Sequence, residues 1–428
     1  MTRVLHTADT HLGYRQYHSP ERRRDFLDAF RAVIEDAIED DVDAVVHAGD
    51  LFHDRRPGLI DILGALDALE PLADADIPFL AVVGNHEAKR DAQWLDLFER
   101  LSVATRLGDD PVTVGETAFY GLDFVPRGQR EQLSYEFAPH DADHAVLVSH
   151  GLFEPLVPDY GNVEWDAEAV LNDATVGFDA MLLGDEHAAT TAELDGTWVT
   201  YCGSTERTSA SERDERGYNL VSFEGGDVRI GRRGIDTRPF VFVDLELAES
   251  EGPARVRERL SEHDLEGAVV QVTLTGDGES IPPARIESHA TEAGALVARV
   301  TDRRDVSTGE SLPEASFADP DDAVRERLRE LGLSAGARDL DETIRSGTVA
   351  DSNVADETER YVEELLEDAD PASDPASASA PASDPDGDGD GDARPAADAA
   401  DGEGASGDPT EPERSASDDG QASMGEYL

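Results

Sequence analysis

Over the first 235 residues, short apolar runs alternate with stretches whose apolar side chains recur at helical spacing. The runs are VLHTA (4–8), DAVVHAG (43–49), FLAVVG (79–84), AVLVSH (145–150) and AMLLG (180–184). Between the first two, Ser19 is placed to cap a helix, with Pro20 at its first position. Phe26, Phe30, Val33, Ala37 and Ile38 fall on one stripe of it. Strands alternating with amphipathic helices predict an α/β fold: a two-layered β-sandwich flanked by helices. From Thr197 to Gly231 the pattern turns to short strands and turns that close the second layer.

Residues 238–302 predict a separate small α/β module. Runs FVFVDLEL (240–247), AVVQVTL (268–274) and ALVARV (295–300) are separated by helical stretches near 253–262 and 282–292, a β-α-β-α-β order. Val324, Leu328 and Leu331, and then Tyr361, Val362, Leu365 and Leu366, give two weak amphipathic helices in 303–369, too small to form a core alone. Residues 370–428 form an acidic tail. To about Gly420 it is mostly Ala, Ser, Pro, Gly and Asp, with almost no large apolar side chain, and is expected to be disordered. The expected domains are therefore 1–236, 238–302, 303–369 and 370–428. The alternating DGDGDGD run (386–392) lacks the Glu that a calcium loop needs at its twelfth position, so an EF-hand is rejected.

Composition narrows the class. No run approaches the roughly 20 apolar residues of a membrane span, and the N-terminus enters a strand directly, so a cytoplasmic protein is expected. Cys202 is the only cysteine, which excludes an intramolecular disulfide and a thiolate zinc site. The formal charge is −59, and Lys89 is the only lysine. Molar salt shortens electrostatic screening to about 3 Å, so such a surface suits a high-salt environment. Under those conditions local arginines matter more to a polyphosphate partner than net charge does. The basic residues considered are Arg22 to Arg24, Arg55, Arg56, Lys89, Arg90, Arg127, Arg207, Arg213, Arg216, Arg232 and Arg233, each of which reads equally well as an ordinary surface residue.

The chemistry concentrates just past the apolar runs. Asp9-Thr10-His11 follows the first, Gly49-Asp50 the second and Gly84-Asn85-His86 the third. Ser149-His150 ends the fourth, and Asp185-Glu186-His187 follows the fifth. A single Asp-x-His is more often a turn or helix cap. Successive clusters at equivalent strand ends converge on one sheet edge, where α/β proteins build sites. Carboxylate, amide and imidazole donors suit a hard divalent ion, and a two-metal site needs a bridging carboxylate. Asp50 is the candidate bridge.

The order D-x-H, G-D, G-N-H, H and G-x-x-H resembles that of the calcineurin-like metallophosphoesterases. Within them, ADTHLGYRQY, HAGDLFHDRRP, VVGNHE and YCGSTERTS resemble the archaeal double-strand-break repair nucleases of the meiotic-recombination family, similar to bacterial SbcD. The resemblance is strong over residues 1–235 and extends to 238–302 only in layout, as that family's capping domain. It implies a metallophosphoesterase fold and two Mn2+ ions, with Mg2+ as an alternative. The implied ligands are Asp9, His11, Asp50 and His187 for one ion, and Asp50, Asn85, His150 and Asp185 for the other. His86 would serve the leaving group or transition state, and His53 would orient the phosphate or His86. Asp185 stands where the family usually has His, which leaves the balance of metals open. Glu87 stands where Asp usually follows, and is not expected to ligate. His6, His47, His140, His263 and His289 match nothing in the pattern and read as structural or surface residues.

The implied function is a 3'-to-5' double-strand exonuclease and single-strand endonuclease in DNA double-strand break repair. A small-nucleotide phosphodiesterase and a DNA-end-binding scaffold with vestigial cleavage are the alternatives. DNA and a coiled-coil ABC-type ATPase are the implied partners, the latter through the helices of 303–369. The resemblance also implies a homodimer, for which Leu59, Leu63, Leu66, Trp94, Leu97 and Phe98 are apolar enough, though they could as well pack on their own sheet. The last residues, Gln421 to Leu428, resemble a sliding-clamp-binding peptide.

Overall fold

Parallel and antiparallel pairing divides the principal strands between two six-stranded sheets. A computed structural model describes residues 1–90, 92–130, 132–157, 165–278 and 281–304. The expected helical segment and acidic tail beyond Arg304 lie outside the described residues.

In chain order, β1 (Thr2–Thr7) leads through a 3-10 turn (Gln16–His18) to α1 (Pro20–Glu39), β2 (Ala44–His47), α2 (Leu59–Asp74), β3 (Phe79–Ala81), α3 (Trp94–Arg100) and β4 (Thr105–Arg106). Then come β5 (Val112–Val114), β6 (Thr117–Leu122), α4 (Arg127–Arg130), β7 (His144–His150), β8 (Phe153–Glu154), β9 (Trp165–Asp166), α5 (Ala167–Asp173), β10 (Ala180–Gly184), β11 (Thr190–Leu194) and β12 (Thr197–Tyr201). The pair β13 (Gly217–Glu224) and β14 (Asp227–Gly234) follows. The last elements are β15 (Phe240–Leu247), α6 (Pro253–Leu260), β16 (Val269–Gly276), α7 (Pro283–Glu292) and β17 (Val297–Asp302).

The first sheet runs β14-β13-β1-β2-β3-β4 and the second β11-β12-β10-β7-β6-β5. The segment expected to close one layer is thus shared. β12 joins the second sheet, while β13 and β14 extend the first past β1. Strand alternation builds the sandwich. Val4, Val46, Leu80, Phe119, Val146 and Leu182 pack in one core shared by the two sheets. Leu5, Val45 and Phe79, on the other face, meet Phe30 and Val33 of α1 and Leu69 of α2. Ser19 caps α1 as expected, its hydroxyl accepting from the amides of Glu21 and Arg22.

β15, β16 and β17 form a parallel three-stranded sheet with its own core, including Val243, Val256, Val270 and Ile286. Arg238 grips Asp25 of α1 through two bonds of 2.6 and 2.7 Å, and Gln271 donates to the Tyr17 hydroxyl at 2.7 Å. Among the described residues, no helix is long and apolar enough to cross a membrane.

Candidate metal centre

β1, β2 and β3 run parallel in one sheet, as do β6, β7 and β10 in the other, so the turns that follow them open on one edge of the sandwich. Asp9 and His11 follow β1, Asp50 follows β2, and Asn85 and His86 follow β3. His150 ends β7, and Asp185 and His187 follow β10. Three overlapping groups each bring their donor atoms within 4.8 Å of one another: Asp9, His11 and His187; Asp9, Asp50 and His150; His11, His53 and His86. Asn85 Oδ1 lies 3.1 Å from His150 Nε2, and Asp185 Oδ1 lies 3.8 Å from that nitrogen. The structure therefore gathers all the expected ligands and both expected catalytic histidines.

The backbone here is bent to suit the side chains. Asp9, His11, Asp50 and Asp185 all take positive φ, at 51°, 44°, 59° and 96°. Non-glycine residues pay about 1–3 kcal/mol for such conformations and hold them only where their surroundings over-determine them. Those surroundings are visible. The Asp9 amide donates to the Gly49 carbonyl and that of His11 to the Asp50 carbonyl, both at 3.0 Å. The Asp185 amide donates to both Asp9 carboxylate oxygens at 3.1 Å. Gly84 must lack a side chain, since a Cβ there would overlap the Asp50 carboxylate and amide.

Charge makes the pocket a trap for cations. Asp9 and Asp50 are buried, and Asp50 Oδ2 lies 3.8 Å from His11 Nε2 and 3.5 Å from His150 Nε2. Burial pushes the Asp9 carboxyl up. Burial also opposes ionisation of Asp50, yet the neighbouring His150, His11 and His86 hold it well below the usual carboxylate range. Burial resists charge on His150, but Asp50, Asp185 and Asp9 overcome it and raise that imidazole well above its ordinary value. A cleft that draws protons onto buried imidazole in this way would equally draw a divalent cation.

The donor geometry fits that cation. His150 Nδ1 donates to the Ala48 carbonyl at 2.8 Å, so Nε2 is the nitrogen turned to the Asp50 and Asn85 oxygens, where a bound cation would take the place of its proton. His11 Nε2 and His187 Nε2 face each other at 3.2 Å and share a proton between them, the place a bound cation would take. Hard oxygens with imidazole nitrogens suit a hard or borderline divalent metal.

His86 Nδ1 donates to the His53 carbonyl at 3.0 Å, and the two rings stack at 5.0 Å. Tyr14 in turn stacks on His53 at 3.8 Å. Burial lowers His53 to about 4, so it is neutral at neutral pH.

Two acidic residues shape the centre without being among its expected ligands: Glu87, which the sequence reading set aside as a non-ligand, and Glu212, which it missed. Glu87 is buried and accepts from the amides of Leu51, Phe52 and Gly84, at 3.2, 3.0 and 3.4 Å, lacing the turn after β2 to the turn after β3. Glu212 Oε1 lies 2.9 Å from His187 Nδ1. Its position within SERDER gives no such signal. Several arginines considered for phosphate binding are structural instead. Arg22, Arg207 and Arg216 are buried, and Arg22 donates to Gln16, Asp25 and the Arg207 carbonyl. Arg23 is paired with Asp61, while Arg24 and Arg127 are exposed.

This fold and donor set define a metal-dependent phosphodiester hydrolase, and residues 2–189 match the calcineurin-like phosphoesterase family. The chain is 64% identical over 369 residues to the DNA double-strand break repair protein Mre11 of Haloferax volcanii, covering 86% of this chain and 83% of that one. It is 60% identical over 373 residues to that of Halobacterium salinarum, covering 86% and 95%. Identity to that of Methanosarcina acetivorans is 42% over 381 residues, covering 86% and 61%. The chain belongs to the Mre11 family.

Proposed function

We propose that this protein is a Mn2+-dependent nuclease of DNA double-strand break repair, with Mg2+ as an alternative ion. It would shorten double-stranded ends 3'-to-5' and cut single strands. The observation that carries the reading is the convergence of Asp9, His11, Asp50, Asn85, His150, Asp185 and His187 on one edge of the sandwich, in a chain whose relatives are named for that repair.

Asp9, His11, Asp50 and His187 would hold one ion, and Asp50, Asn85, His150 and Asp185 the other. When bound, such a pair clamps a phosphodiester and supplies an activated water. The protein's own part is positional and protonic. Asp50, buried between His11 and His150, would be the carboxylate shared by the two ions. His86, with Nδ1 committed to the His53 carbonyl, keeps Nε2 for charge or a proton developing at the leaving oxygen. His53 stacks beside it and orients it.

The same reading supplies partners. Residues 238–302 would act as the DNA-facing capping domain, with a coiled-coil ABC-type ATPase bound through 303–369 and a sliding clamp through Gln421–Leu428, both outside the described residues. Localisation would be cytoplasmic. A homodimer would use the apolar outer face of α2 and α3. Leu59 is 71% exposed, Ile60 65% and Leu63 49%, and Leu97 is exposed too. Leu66, Trp94 and Phe98, included in the expected surface, turn toward their own core instead.

The test is cleavage of end-labelled linear DNA by the full-length protein in molar KCl, with Mn2+ or with EDTA. Metal-dependent shortening from the 3' end is expected. Turnover of a small phosphodiester with intact DNA would overturn the substrate assignment.

A further inference from the structure

An imidazole that binds through one nitrogen is aimed by whatever holds the other. His187 Nδ1 faces Glu212 Oε1 and the Thr208 hydroxyl, both at 2.9 Å, which turns Nε2 toward Asp9 and His11. Glu212 is itself held. Thr208 donates to it from both amide and hydroxyl, at 3.0 and 2.7 Å, and Arg216 Nη1 donates to it at 3.2 Å while also reaching the His187 carbonyl at 3.0 Å.

The segment carrying these groups, residues 206–216, is gripped from the other side by β15 of the three-stranded sheet. Arg207 donates to the carbonyls of Glu212 and Asp214, fixing the turn, and its guanidinium lies over the Phe240 ring at 5.2 Å. The Arg22 guanidinium lies over the same ring at 5.0 Å. Arg213 pairs with Asp244 at 2.8 Å and lies over Phe242 at 4.7 Å. A continuous set of contacts therefore runs from β15 through Arg207 and Glu212 to His187.

We propose that Glu212 is the positioning residue for His187, and that segment 206–216 ties the placement of the three-stranded sheet to the metal affinity of that histidine. A substrate seated against the sheet would then tighten or loosen the catalytic centre through this segment. The inference rests on the metal reading of the site given above.

The experiment is calorimetric titration of the full-length protein with Mn2+ in molar KCl, alongside thermal unfolding in EDTA. Wild type is expected to show two binding events. Glu212→Ala should weaken one of them by about 10- to 100-fold and leave the other in place. Glu212→Gln, which keeps the shape and removes the charge, should weaken the same event less and serves where the alanine variant is unfolded. Phe240→Ala should weaken that event several-fold without touching the centre. Unchanged affinities in the Glu212 variants, or both events weakened together with a lower unfolding temperature in EDTA, would overturn the positioning role. An unchanged event in Phe240→Ala would overturn the link to the sheet. A wild type that takes up no Mn2+ would overturn the metal reading itself.

Discussion

Asp50 lies within 4 Å of the imidazoles of both His11 and His150, the position expected of a carboxylate shared by two ions. Loss of a group that merely supports a ligand costs about 10- to 100-fold, so Asp50→Ala should cost more than about 100-fold in cleavage rate. Gly84→Ala should do comparable damage from outside the ligand set, since its methyl group would occupy the space of the Asp50 carboxylate. Steady-state cleavage by the two variants, with circular dichroism to confirm folding, checks both. Asp185 calls for the opposite change. Its carboxylate already lies near His150, so Asp185→His should retain cleavage while shifting the ratio of Mn2+- to Mg2+-supported rates. Titration gives another handle at this scale. Burial lowers His6 and His47 to about 3, so both stay neutral in the fold, whereas the unfolded chain protonates them near pH 6.5. Between about pH 6.5 and 3 the unfolded state therefore binds more protons, and stability falls as pH falls, by up to about 1.4 kcal/mol per pH unit for each histidine. Urea unfolding at pH 7 and pH 5 should show His6→Leu losing less on acidification than wild type.

At the scale of elements, the strand-end turns were legible because polar, ligand-type residues recur just past one apolar run after another, although any one of them alone reads as a turn or a cap. Asp9, Asp50 and His150 are read this way together, not singly. What binds the turns together was not legible. Glu87 sits beside His86 in sequence, yet its carboxylate serves amides at Leu51 and Phe52, and no local pattern encodes a contact across that separation. Glu87→Ala would strand buried amides, each costing about 1–3 kcal/mol, and should lower the unfolding free energy by at least one such amount in denaturant titration. The arginines misled for a similar reason. A triplet such as Arg22 to Arg24 reads as solvated charge, but Arg22 is buried because Gln16, Asp25 and Glu206 satisfy it. Sharing of residues 197–234 between the sheets was likewise invisible, since strand pairing partners are a tertiary choice.

For the whole molecule, the charge of −59 decides the conditions under which it is stable. Self-repulsion among carboxylates is screened to about 3 Å in molar salt and reaches about 10 Å at 0.1 M. The unfolding temperature should therefore fall steadily on dialysis from molar KCl toward 0.1 M, which differential scanning calorimetry would record. Added Mn2+ should offset part of that loss by binding only the folded state.

The left-handed turns at Asp9, His11, Asp50 and Asp185 carry an implication for anyone who breeds this protein for robustness. Glycine or asparagine at those positions would relax the chain and dilute the buried charge, so a library sorted by heat resistance alone would drift toward durable variants with no catalytic centre. Selection must reward cleavage in the same round, because in this molecule toughness and activity compete for the same few positions.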